Sequence, residues 1–484
     1  MFSDLSLSNM KRIIFISLTL TIAVNCFSQT KKKYTVVITN ASIVDVANST
    51  IIRNRLIAIE GNTIKAVDNT KMAAKYKADR YIDAHDKYVM PGLWDMHIHL
   101  RGGAATIQGN KNFLPLFLAY GITTVRECGG DITPSVMEWK KETAAGTLAG
   151  PRIFTSGPKL DGPKPTWAGS IEVETPAQIS KALDSLQKIK VDFIKIYESK
   201  ISRDAYLEAV SQAHARGLKT TGHMPYTVEM KEAVDCGMNG SEHMYYVFKG
   251  CSSKEDSITS VIREREHTAH PIGLFGALPG LYDTYDEAKA AQFFKYLAQK
   301  NFTITPTLFV SKVLAGVKET DHTKDSLLAF IDPKIQDTYK GRVASAKRAS
   351  PESAAFTKKY EAKVASMIPQ MYVAGVNIVA GSDCGASNSY VYPGESLHEE
   401  VKLLFASGLT SAQALTTAII NGPKFFGLSK FYGSLQVGKC ADLIILDGDP
   451  IKKIDAIDHI ITVLANGKVY TKTDLNNLLN AIKH

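Results

Sequence analysis

Strand-like runs alternate with capped amphipathic helices through the middle of this chain, and that alternation constrains the fold more than any other feature. "RIFTSG" leads into "TPAQISKALDSLQKI", where Thr175 and Gln178 have the spacing of a capping box and Pro176 takes the first helical position. "VDFIKIY" follows, then a helix predicted over 204–216 and stopped by Gly217, then "LKTTGHM". Further on, Thr284 with Glu287 is predicted to cap "YDEAKAAQFFKYLAQK" ahead of a strand "FTITPTLFV", and Thr410 with Gln413 to cap "SAQALTTAII". Strands repeating with intervening helices imply a parallel sheet, and the roughly 340 residues concerned leave room for eight units with insertions. The predicted architecture is therefore α/β, a (β/α)8 TIM barrel over 89–432. An open doubly wound sheet is the alternative, weakened because no glycine-rich phosphate loop follows the first strand.

The two ends have a different texture. "YTVVITN", "ASIVDV" and "RLIAIEGNTIKAV" are short alternating runs broken by turn residues, and "ADLIILD" and "ITVLANGKVYTK" repeat the pattern near the C-terminus around Asn466-Gly467, a hairpin signal. Residues 32–88 and 433–475 are expected to form one small β-sandwich domain built from both termini. With 45% hydrophobic residues in 484, there is material for two cores.

Ahead of these, Lys11 and Arg12 precede "IIFISLTLTIAV", and Cys26 and Ser28 give a small-x-small pattern, so residues 1–28 read as a cleaved secretory signal peptide. The expected destination is periplasmic or secreted; lipid attachment at Cys26 is the alternative, with Asn25 a poor neighbour for it. No later run reaches the roughly 18 apolar residues of a membrane span. The net charge of +9 is dispersed, and the one dense run, Lys31 to Lys33, has no interleaved aromatics, which argues against a nucleic-acid partner. Cys128, Cys236, Cys251, Cys384 and Cys440 form no CxxC pair and read as mostly buried thiols, with one bridge left open.

Chemistry concentrates at strand ends. In "PGLWDMHIHL", His97 and His99 are two apart and project to one face, which at the C-terminal end of a barrel strand is the active-site mouth. Lys195 lies between Ile194 and Ile196 in a strand covered on both sides, where an ammonium is costly. A buried lysine loses its proton readily, and the neutral amine captures carbon dioxide to become a carbamate, an anionic two-oxygen ligand. His223 ends "LKTTGHM", His243 ends "NGSEHM" and Asp383 ends "VNIVAGSD". Imidazole and carboxylate without thiolate is a donor set suited to divalent metal.

"PGLWDMHIHL", "GITTVREC", "VDFIKIY", "GHM", "SEHM", "GSDCG", "SLHEEV" and "GKCADLIILDGDP" occur in the order found in the metal-dependent amidohydrolase superfamily. Nearly the whole chain after residue 28 resembles its imidazolonepropionase-like and Xaa-Pro dipeptidase-like branch. The resemblance implies two divalent ions, zinc by preference. His97, His99 and Asp383 would hold the more buried ion, His223 and His243 the more exposed one, and carboxylated Lys195 would bridge them. It further implies hydrolysis of the amide bond of a dipeptide, Xaa-Pro-like, or of an N-acyl amino acid by a bridging hydroxide, with Asp383 as the catalytic proton carrier. A mononuclear cyclic-amide hydrolase or deaminase of the imidazolonepropionase type is the alternative, and such a site has no need of Lys195. A binding protein without activity would have no need of any of these side chains. The small-molecule substrate is expected to meet Tyr197, Tyr226, Tyr245 and Tyr246, which follow candidate ligands closely, against the alternative that these tyrosines only pack. Relatives that associate also make a homo-oligomer an expectation. "SGPKLDGPKPTWAGS" lacks the glycine-histidine-glycine usual after the third strand, and "HMPY" replaces the usual His-Ala after the fifth, so substrate preference departs from the common pattern.

Overall fold

Both ends of the chain enter one eight-stranded sheet in the computed structural model, which describes residues 33–484. The expected leader and Cys26 lie outside the described residues. The joint between the ends is the antiparallel pairing of Tyr88–Pro91 with Leu443–Leu446, with Leu443 opposite Pro91. "YTVVITN" and "ASIVDV" are one strand, Lys33–Asp45, and not two. Asn40 takes a positive φ of 51° and the register shifts there, so the turn residue kinks the strand without ending it. Successive side chains alternate, giving Val36, Ile38, Ile57 and Ile59 to one buried cluster and Val37, Leu56 and Ala58 to another. At the far hairpin Asn466 (φ 50°) and Gly467 (φ 77°) supply the two left-handed positions of a tight turn between Ile460–Ala465 and Lys468–Thr471.

Between these ends the strands are parallel, in a TIM-barrel-like α/β arrangement. Leu93–His99, Ile122–Glu127 and Arg152–Thr155 pair in that order. Ile194–Ile196 pairs with Thr220–Gly222, and Gly240–Glu242 with Thr303–Thr305 and then Asn377–Ile378. Backbone bonds between these groups include Asp192 N to Thr155 O at 2.9 Å, Asn239 N to Thr220 O at 3.0 Å, and Met96 N to Ala380 O at 2.9 Å. Every residue of Leu93–His99 and Ile122–Glu127 is buried, as expected of strands covered on both faces.

The helices at 176–188 and 411–419 carry the predicted capping boxes from Thr175 and Thr410, and Gly217 (φ 70°) ends the helix Arg203–Ala215. Two local expectations are corrected. The helix Glu287–Gln299 is capped by Asp286, whose carboxylate accepts from Lys289 N at 2.8 Å, while the Thr284 hydroxyl donates to Gly280 O; the chain is still extended at Asp286, one residue before the helix. "FTITPTLFV" is a strand only over Thr303–Thr305: Pro306 interrupts it, Thr307 turns left-handed at φ 52°, and Leu308–Gly316 is helical. From there a helical insertion, including Lys340–Arg348 and Pro351–Ala374, fills the chain up to Asn377. The five cysteines among the described residues are free thiols, with Cys128, Cys251 and Cys384 buried.

Candidate active site

The strand Leu93–His99 ends with His97 and His99 facing Asp383, which arrives on the segment after Asn377–Ile378. Asp383 Oδ1 lies 2.9 Å from His99 Nε2 and 3.3 Å from His97 Nε2. Gly381 makes this approach possible, because a Cβ there would come within 2.7 Å of His97 Cβ and 2.5 Å of Thr305 Cγ2. Buried Asp95 locks the same segment, accepting from Ser382 N at 2.9 Å and Ser382 Oγ at 2.6 Å, and burial pushes its carboxyl up to about 6. His243 follows Gly240–Glu242; its ligand atom, with those of His97 and Asp383, falls in a group whose members lie within 4.8 Å of one another. The His223 ring is 4.8 Å from that of His243, centroid to centroid. Lys195, 1% exposed, enters between these groups from Ile194–Ile196. All six predicted ligands therefore converge. Lys195, His99, His223, His243 and Asp383 line one pocket of about 310 Å³, and His97 stands directly behind it.

Four of the six are also held from behind. His97 Nδ1 is 2.8 Å from Glu242 Oε2, His223 Nδ1 is 2.8 Å from Glu198 Oε2, and His243 Nδ1 is 2.6 Å from Thr307 Oγ1. Asn388 Nδ2 donates to Asp383 Oδ1 at 2.9 Å. Such rear contacts fix which ring nitrogen faces forward. Glu242 is the hub: it also accepts from Arg126 Nη2 at 2.8 Å and Thr221 Oγ1 at 2.7 Å, and lies 3.6 Å from Lys195 Nζ. Burial alone would raise the Glu242 carboxyl; Arg126, Lys195 and His97 outweigh it and hold it well below the usual range. For Asp383, burial is likewise overcome, by His97 and His99, so it is ionised. Burial, reinforced at His99 by the charge of Arg101, keeps His99 and His243 well below the ordinary histidine value and so neutral.

For His97 burial is outweighed by Cys128, Glu242 and Asp383, which hold it well above the ordinary histidine value; imidazoles gathered around an ionised carboxylate are a donor set for a divalent cation. Two imidazoles crowd a single carboxylate oxygen, while Lys195 Nζ is buried with no hydrogen-bond partner among the described residues. Groups in that state are costly unless something else satisfies them. His243 (φ 61°) and Asp383 (φ 56°) both sit in left-handed backbone, a strain that concentrates at functional sites.

Of the four tyrosines, Tyr197 lines the pocket, its ring 4.4 Å from that of His223. Tyr245 lines the adjoining cavity beyond His243. Tyr226 and Tyr246 are buried behind His223 and are not among the walls of the metal pocket. Arg126 and Glu242, in "GITTVREC" and "SEHM", are structural partners of the site that the strand-end pattern does not single out. Their signal is a charge inside a strand covered on both faces.

The amidohydrolase family model matches residues 88–470. The chain belongs to the amidohydrolase family. This amidohydrolase is a metal-dependent hydrolase acting on carbon–nitrogen bonds. Over 448 residues it is 22% identical to a 5-methylthioadenosine/S-adenosylhomocysteine deaminase of Thermoanaerobacter pseudethanolicus, covering 87% of this chain and 89% of that protein. An adenine deaminase of Clostridium acetobutylicum is 34% identical over 118 residues, 23% of this chain and 19% of that protein. Among solved structures, a Xaa-Pro dipeptidase with bound methionine superposes with a TM-score of 0.63 at 19% identity, covering 90% of this chain and 99% of that one; it shares the fold. Among the described residues no helix is long and apolar enough to cross a membrane.

Proposed function

We propose that this amidohydrolase is a binuclear enzyme that hydrolyses the amide bond of a dipeptide or N-acyl amino acid, its site carried on a closed (β/α)8 barrel flanked by the terminal β-sandwich. The observation that carries this reading is Lys195: fully buried, aimed into the ligand cluster, its Nζ unpartnered by any hydrogen bond among the described residues. A site for one metal has no use for it. Two divalent cations, zinc by preference, held by His97, His99 and Asp383 and by His223 and His243, with carboxylated Lys195 between, would polarise the carbonyl and acidify a water.

The chain's own groups do the rest. Asp383, ionised and restrained by Asn388, is placed to take a proton from the attacking water and return it to the departing nitrogen. Glu242, Glu198 and Thr307 keep three imidazoles aimed forward, and Tyr197 packs against His223 at the pocket wall. Export after cleavage of residues 1–28 belongs to the same proposal.

The second reading, a mononuclear purine-type deaminase, is favoured by the full-length likeness to 5-methylthioadenosine/S-adenosylhomocysteine deaminases. Profiling the metal-loaded protein against Xaa-Pro dipeptides, N-acyl amino acids and 5-methylthioadenosine separates the two. Release of amino acids supports the first reading; ammonia from the purine with no amide cleavage overturns it.

A further inference from the structure

The cavity system continues past the ligands. Arg101, Lys159 and Arg342 share the pocket with Asp383. Arg101 is 4% exposed, donates through Nε to Ala386 O at 2.8 Å and through Nη2 to Asn388 Oδ1 at 3.3 Å, and lies 4.1 Å over the Trp167 ring. Among the described residues no ion pair holds it. Lys159 donates to Gly129 O. Cations gathered at one small pocket without a paired anion mark the place of an anionic ligand group.

Beyond His243 and Arg342 lie two larger spaces under the helical insertion. One, of about 610 Å³, runs from His243 between Tyr360, Val364 and Leu403; the other, of about 1050 Å³, runs from Arg342 past Ala346 and Ala349 to Phe275, which is 74% exposed. Both are walled by Tyr245 and Ser311. The acid on these walls, Glu361, is pushed up to about 7 by burial, and Lys312 lines the first of them, so the cleft is poor ground for the ammonium of a dipeptide.

We propose that the insertion cleft receives a long apolar acyl chain while Arg101 and Arg342 hold a carboxylate, so that the preferred substrates are amino acids N-acylated by an extended aliphatic or aromatic group. This rests on the hydrolase reading above and narrows it. The carboxylate belongs to the amine half, because Arg101 is anchored on Ala386 and Asn388, and Asn388 also holds Asp383, the group that returns a proton to the leaving nitrogen. Water oxygen bonds to the acyl carbon, the C–N bond breaks, and one water proton passes to nitrogen, giving a carboxylic acid and a free amino acid.

The test is a chain-length series, N-acetyl to N-decanoyl, on L-proline, L-leucine and L-methionine, each as free acid and methyl ester, with the metal-loaded enzyme. KM should fall with length, by up to about fourfold for each methylene buried. The free acids should exceed their esters by about 10–100-fold in kcat/KM. Arg101→Met should bring that ratio towards one, and Ala346→Trp should flatten the length dependence. Equal KM along the series, or equal turnover of acid and ester, overturns the inference and leaves the hydrolase reading standing. If no amide is cleaved, that reading fails and calorimetry on chelator-treated protein decides: N-decanoyl-L-proline binding at least 10-fold tighter than N-acetyl-L-proline, and weakened in Arg101→Met, supports the cleft, while no difference overturns it.

Discussion

Asp383 combines strain, charge and restraint in one residue: a left-handed backbone, a carboxylate oxygen shared by two imidazoles, and an amide from Asn388 holding it in place. Asp383→Asn keeps an oxygen donor and removes the proton carrier. Turnover should fall by about 10³-fold, a typical weight for general acid–base action, with metal content retained. Parallel metal analysis and steady-state kinetics check this, and near-native rates would refute the assignment. The six candidate ligands could be singled out because each lies within or shortly after a strand of the parallel sheet, where a polar side chain faces the barrel mouth. Their partners were not. Arg126 meets Glu242 across 116 positions of sequence, and nothing local pairs the two. Tyr226 and Tyr246 follow ligands as closely as Tyr197 does, yet they turn inward; proximity along the chain does not say which way a ring points.

At the scale of elements, the helix Leu308–Gly316 is fixed at its start by a carboxylate from another helix. Glu400 Oε2, on Glu395–Ala406, accepts from Phe309 N at 2.7 Å, and this holds the turn at Thr307, whose hydroxyl holds His243. Glu400 is thus a positioning residue for a ligand it never touches. Glu400→Ala should weaken metal binding by about 10-fold, in line with the loss of other outer-shell supports, whereas Glu400→Gln retains an acceptor and should keep most of the affinity. Burial raises the Glu400 carboxyl to about 8, so the folded state holds its proton more tightly than the unfolded chain. Its contribution is present below the unfolded value and lost as pH rises through about 8. The thermal stability of Glu400→Gln relative to the unaltered protein should accordingly grow between pH 5 and about pH 8, which melting curves across that range would show. The caps at Thr175 and Thr410 could be read from side-chain spacing. Asp286 and Thr307 could not, because both depend on where the preceding strand or loop releases the chain.

Across the whole molecule, the two-ended sheet was legible from alternation alone, since a half-buried strand carries its face in its own pattern. The insertion over the mouth was not: it breaks the strand–helix rhythm and packs on residues far away in sequence. The ends are also tied to the middle by charge. Asp458 lies 2.9 Å from His398 Nδ1 and 2.7 Å from Lys402 Nζ, and His398 Nε2 reaches Tyr120 O at 2.8 Å. Burial would raise the Asp458 carboxyl; His398 and Lys402 outweigh it and hold it at about 2. Its stabilisation is present above the unfolded value and disappears as pH falls through about 2. With 37% of the side chain exposed, solvent screening reduces the effect. Asp458→Asn should cost about 1 kcal/mol near pH 7 in chemical denaturation, with the gap closing as the carboxylate protonates in acid.

If six side chains from distant strands hold a pair of cations with Lys195 between them, metal content must depend on Lys195. After zinc loading in bicarbonate buffer, the unaltered protein should carry two equivalents per chain by plasma emission, and Lys195→Ala should carry one or fewer. A single equivalent in both proteins would contradict the account.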